Sequence, residues 1–203
     1  MSQFAQDIRK TYAGVVKAFG RYWSVYGGLS ALLLSPYFHL SVLLNSLMYN
    51  AWTSSDWFEL PLRILPSLLG FTLGGYAVFL AIGDRRFHAF LAAEAVIGRV
   101  SPFLQISATY AHFVIMQTVA LLLAALSSSL PDVEASLRVF QNEVLDGLRV
   151  VLLGGIYVIR FLTNLVFLYS LTLAISAVMA IFRVSTWYEK FIQIDSEEGN
   201  ARH

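Results

Sequence analysis

The sequence predicts an all-helical integral membrane protein with four spans, preceded by an amphipathic helix, and with both termini in the cytoplasm. Three observations carry this. Charged residues are 13% of the chain and apolar ones 57%, against about 25% charged in an ordinary soluble domain. Mean hydropathy is +0.64. Several apolar runs reach the roughly 20 residues that a helix needs to cross a hydrocarbon core.

Residues 1–27 form the first region. Phe4, Ile8, Tyr12, Val15, Phe19, Tyr22 and Tyr26 recur every three or four positions, while Arg9, Lys10, Lys17 and Arg21 lie mostly off that stripe. This is the pattern of a basic helix in the headgroup layer; packing on the bundle or on a neighbouring subunit would use the same stripe. No compact apolar segment with a small-residue cleavage site follows, so an uncleaved first span is expected.

The bundle occupies 28–183. Its expected spans are about 28–50, 62–83, 102–126 and 161–182. Leu145 to Phe182 is too long for one crossing. The fourth span is placed between Arg160 and Arg183, with Trp187 and Tyr188 as an interfacial belt. Residues 134–159 then form an extracytoplasmic helical extension or re-entrant piece. The alternative is a span at 148–170 that buries Arg160. Residues 184–203 form a polar cytoplasmic tail.

Basic residues set the orientation. Ten of the 14 Lys and Arg lie in the N-terminal segment, the loop between spans two and three, and the tail; Arg63, Arg138, Arg149 and Arg160 fall on the other side. The positive-inside rule places both termini in the cytoplasm of a bacterial inner membrane. Ser35-Pro36-Tyr37 and Ser101-Pro102-Phe103 each read as helix starts. With Leu73-Gly74-Gly75 and Leu153-Gly154-Gly155 they make a weak internal echo, compatible with two related hairpins.

The glycines of LPSLLGFTLGGYAVFLAIGDRR, residues 65–86, do not make a phosphate loop, because no lysine follows them. Gly70, Gly74 and Gly75 form a small-residue face that lets membrane helices approach closely. Gly154 and Gly155 repeat the feature. Packing within one chain, a subunit–subunit or pore-lining face, and a gating hinge all stay open. Ala81-Ile82-Gly83-Asp84 approaches the Gly-x-Gly-Asp pattern of intramembrane aspartyl proteases, but residue 81 is alanine and no second intramembrane aspartate is present to divide the acid and base roles.

Intramembrane polar residues are the other candidates: His39, Asn45, His112, Gln117, Arg160 and Asn164. His39 and His112 read as a proton or ion station if paired, or as separate structural histidines. The amides read as interhelical hydrogen-bonding groups or as pore lining. Arg160 snorkels at an interface or sits buried at a cost of about 2.5–3.5 kcal/mol. With Arg149, three turns earlier on nearly the same face, it makes a cationic site or a solvated pair.

There is no cysteine, and neither a serine elbow nor a His-Glu-x-x-His pattern. The expectation is a non-enzyme without cofactor or metal, and a net charge of +1 gives no hint of nucleic acid. Expected partners are membrane lipid, further copies of the chain and a soluble cytoplasmic protein. Arg85, Arg86, Phe87, Trp187, Tyr188 and Phe191 are the candidate docking residues for that protein. The function expected is an oligomeric membrane subunit that anchors or signals to a soluble partner; the alternative is a homo-oligomeric channel or membrane-perturbing effector. In size, span number and lack of catalytic residues the chain resembles small bacterial accessory membrane subunits, such as the membrane component of the Kiwa anti-phage system. That resemblance is architectural; it implies a role beside a soluble partner in defence and assigns no residue a role.

Overall fold

A computed structural model of the chain describes residues 3–81, 85–93, 100–129 and 146–200. Among the described residues every regular element is a helix. They are α1 (Gln3–Tyr26), α2 (Gly28–Leu33), α3 (Pro36–Leu47), α4 (Tyr49–Thr53), α5 (Glu59–Ala81), α6 (Arg85–Ala93), α7 (Pro102–Ser129) and α8 (Asp146–Asn200). Three of them, α5, α7 and α8, are long and apolar enough to cross a membrane. This supports the reading of a multi-pass membrane protein.

The expected first span is not one helix. Residues 28–50 are divided among α2, α3 and the start of α4, and none of these alone reaches the length of a crossing. Two local causes are visible. Pro36 opens α3; it has no amide proton to continue α2, and its ring crowds the preceding turn. At Met48 the backbone leaves the helical region, with φ −91° and ψ 44°. The Trp52 indole N–H donates to the Asn45 carbonyl at 3.1 Å, the carbonyl that the next turn of an unbroken helix would use.

α7 starts as expected. Ser101 Oγ accepts from the Leu104 amide at 3.4 Å, and Pro102 is the first helical residue. α5 starts earlier than expected, at Glu59, which pairs with Arg63 one turn on at 2.7 Å. It tolerates Pro66 in its interior, as membrane helices do where neighbours re-satisfy the freed carbonyl. α8 runs through Arg160 without a break. No proline occurs in it, and no glycine between Gly155 and Gly199 interrupts it. The expected extension is therefore described from residue 146 onward, as the first turns of the same helix, and the tail to residue 200 as its last. Gly83, Asp84, residues 94–99 and Arg138 lie outside the described residues.

The chain packs as two units: Met1–Ser35, Phe79–His112 and Ala177–His203 form one, Pro36–Val78 and Phe113–Ser176 the other. In the second, four helices share a core. Leu65 of α5, Ala120 of α7 and Phe167 and Leu168 of α8 are buried together, and Leu44 of α3 packs against them. Contacts between α3 and α8 fix their direction. Thr172 Oγ1 donates to the Tyr37 carbonyl, Phe38 meets Tyr169 edge to face, and Asn45 reaches Phe161 and Asn164. Rising numbers on α3 meet falling numbers on α8, so the two helices are antiparallel.

Candidate functional site

Two features stand out: a buried polar network in one unit, and helix faces that no described residue covers.

Asn45 and Asn164 are both buried. Asn164 Nδ2 donates to Asn45 Oδ1 at 2.7 Å, and Asn45 Nδ2 donates to the Phe161 carbonyl at 3.1 Å. The helical spacing that puts Asn164 one turn beyond Phe161 places both acceptor and donor opposite the same asparagine. Gln117 is fully buried and donates through Nε2 to Thr72 Oγ1 at 3.0 Å; that hydroxyl donates to the Leu68 carbonyl. Such pairs tie α3 to α8 and α5 to α7. They turn the amides into the chain, where they serve as interhelical bonds instead of presenting a polar surface outward.

Arg160 is 8% exposed. It is buried within the chain, and its guanidinium lies 5.8 Å from the Tyr157 ring centre. A guanidinium within about 6 Å of an aromatic ring centre is attracted by the ring quadrupole, more strongly where water is excluded. Asn164 lies one turn further along α8. Arg149 is partly exposed.

The two histidines go to different environments. His39 is exposed. His112 is buried, shares a hydrogen bond of 2.6 Å through Nδ1 with the Tyr22 hydroxyl, and stacks on Tyr26 at 3.8 Å. The residues brought to His112 are thus two tyrosines of α1, not the second histidine. Burial, and then Tyr26 beside it, hold the Tyr22 phenol above its usual value. Sequence reasoning missed this pair as a site, although Tyr22 and Tyr26 lie four apart on the stripe of α1 and so face one way.

The candidate docking residues largely pack on one another. Phe87 of α6 is 1% exposed. It meets Tyr188 edge to face at 5.1 Å and Phe191 at 5.6 Å, and Phe90 adds a contact to Phe191 at 5.7 Å. Arg86 reaches Asp195 at 3.4 Å with both side chains mostly in solvent, a pair worth little by itself. Phe87 therefore holds α6 against α8. Arg85 and Tyr188 stay exposed and Trp187 partly so; these, with Arg86, are what this end offers to another molecule.

The glycines are open. A Cβ added at Gly70, Gly74, Gly75, Gly154 or Gly155 would meet nothing within 4 Å. Beside them Phe71 is 80% exposed, and Leu73, Val78, Val151 and Val158 are exposed as well. Packing among the described residues does not use these faces. No protein-family model, curated protein or solved structure matches the chain.

Proposed function

We propose that the chain is a non-enzymatic, homo-oligomeric subunit of a bacterial inner membrane that anchors or signals to a soluble cytoplasmic protein. The observation that carries this is the open glycine face of α5: three glycines in two turns, flanked by exposed large apolar residues, and unused by the other described residues. Small residues on a membrane helix permit close backbone approach, and a second helix gains dispersion contacts there that lipid tails fit less well. Gly154 and Gly155 offer α8 a similar face.

The fourth crossing in this reading is α2 with α3, broken at Pro36. Two things support it. α3 shares the core of α5, α7 and α8, and it runs antiparallel to α8. A chain that goes out along α3 and returns along α8 has both termini on one side, as the distribution of Lys and Arg suggests. The segments expected in the cytoplasm also keep company: α1, α6 and the last turns of α8 belong to the same packed unit. In this reading α1 lies at the headgroups, and α6 with the end of α8 is the output surface, through Arg85, Arg86, Trp187 and Tyr188. A part in phage defence stays a proposal that rests on the architectural resemblance.

The channel reading has less in its favour. Its polar lining would have to come from residues such as Asn45, Gln117 and Asn164, which bond inside the chain.

The test is affinity purification of the tagged protein from its host in mild detergent, with the mass of the intact complex. Several copies together with a stoichiometric soluble protein are expected. A monomer refutes the oligomer; a homo-oligomer with nothing bound refutes the partner and makes ion flux in liposomes the next assay. Reporter fusions that put the two termini on opposite sides refute the topology.

A further inference from the structure

α1 is 24 residues long and buries none of them. Successive residues of a helix turn by about 100°, so Phe4, Ile8, Tyr12, Val15 and Phe19 fall in an arc of about 80°. Tyr22 and Tyr26 continue that arc. The two ends of the stripe have different fates. Tyr22 and Tyr26 meet His112 of α7. Phe4 to Phe19 stay exposed, Phe4 at 74% and Tyr12 at 69%. Contiguous apolar surface of this kind marks a contact with something else.

The charges say what that something is. Lys10, Lys17 and Arg21 occupy the arc opposite the stripe, Arg9 flanks it, and Asp7 is the only acidic residue of α1. A second copy of α1 laid on the stripe would add four more cations and one acid, and so leave the positive charge of the helix unanswered. An anionic leaflet does the reverse: the stripe enters the acyl boundary, and the long side chains of the basic polar face reach toward the headgroup phosphates. The chain also provides a bend. Gly27 and Gly28 have φ values of 102° and 68°, a left-handed conformation that glycine adopts freely. It separates the axis of α1 from that of α2.

We propose that the exposed stripe of α1, from Phe4 to Phe19, is a binding face for an anionic lipid surface. The proposal rests on the membrane-subunit reading and deepens it: lipid charge becomes an input that the subunit detects. Each Lys or Arg near such a surface contributes about fivefold to partitioning.

The chain contains no cysteine, so one introduced residue is a unique labelling site. The full chain carrying Ile8→Cys, on the stripe, or Gln6→Cys, off it, is labelled with a polarity-sensitive fluorophore. It is then reconstituted in nanodiscs of phosphatidylcholine with or without phosphatidylglycerol. The expected result is a blue shift at position 8 that requires phosphatidylglycerol, is quenched by a lipid-borne nitroxide and declines with added salt, while the probe at position 6 stays in water. Lys10→Gln with Lys17→Gln weakens the shift by about 25-fold in apparent partitioning. Three results overturn the proposal: a probe at position 8 that inserts equally without anionic lipid, one that stays in water in both discs, and one shielded from both lipid-borne and aqueous quenchers, which means that protein covers the stripe. The mass of the same nanodisc sample tests the oligomer separately, so either idea can fail alone.

Discussion

Replacing Asn164 by leucine tests the buried polar network. The substitution removes the 2.7 Å bond from Asn164 Nδ2 to Asn45 Oδ1 and leaves that oxygen buried beside an apolar side chain. An interhelical hydrogen bond in a membrane protein contributes about 0.6 kcal/mol, up to about 1.7. An orphaned buried acceptor adds a penalty of about 1–3 kcal/mol. Leucine recovers part of this through apolar contacts, so the net loss expected is about 1–3 kcal/mol. Asn45→Leu loses more, because the bond to the Phe161 carbonyl goes as well. The double variant leaves no orphan on either side chain. Its cost falls below the sum of the singles by about 1–2 kcal/mol, the coupling expected of residues that share a bond. Reversible unfolding in mixed detergent micelles, followed by circular dichroism, measures all four corners of the cycle. Additivity within about 0.5 kcal/mol would mean that the two amides act independently, and the argument that this pair ties α3 to α8 would fall.

The remaining predictions concern the glycines and α6. Gly27→Ala places a Cβ 2.8 Å from that of Ala31 at φ 102°, at a cost of about 1–2 kcal/mol for the left-handed backbone alone. Gly14→Ala, in open helix, gains about 0.5–1 kcal/mol, so melting in detergent should move in opposite directions for the two. A Cβ added at Gly74 meets no described atom within 4 Å; for Gly74→Leu the expected result is helicity and melting in dilute detergent as in the parent, with a native mass that drops to that of a smaller species. An unchanged oligomer would exclude this face as the interface. Phe87→Ala removes a ring buried against Tyr188 and Phe191, with a loss of about 3–5 kcal/mol if the site does not collapse. Hydrogen exchange over 85–93 rises sharply, and unchanged protection there refutes the anchoring role.

Periodicity made some of this structure legible in the sequence. Ser101-Pro102 announces the start of α7, and the stripe of α1 announces a helix with one apolar face; both are local signals of capping and of a 3.6-residue repeat. The division of residues 28–50 was half legible. Pro36 is a standard breaker, but the break at Met48 comes with an indole from Trp52 on the Asn45 carbonyl, and a hydropathy run carries no information about such a tertiary bond. Partners were the least legible. Asn45 and Asn164 are more than a hundred residues apart in the chain, and their pairing depends on the antiparallel register of α3 and α8. The same holds for Phe87. A phenylalanine after two arginines reads as a docking anchor when the loop is read alone, and as the wedge between α6 and α8 once Tyr188 and Phe191 stand against it. The glycines show the opposite limit. Their spacing predicted a face for close approach, and whether that face lies inside the chain or outside was undecidable from spacing. Among the described residues nothing packs in the space beside Gly70, Gly74 and Gly75. This moves the weight of the functional argument from polar residues, which the bundle uses internally, to bare helix surfaces that a lipid or a second subunit has to cover.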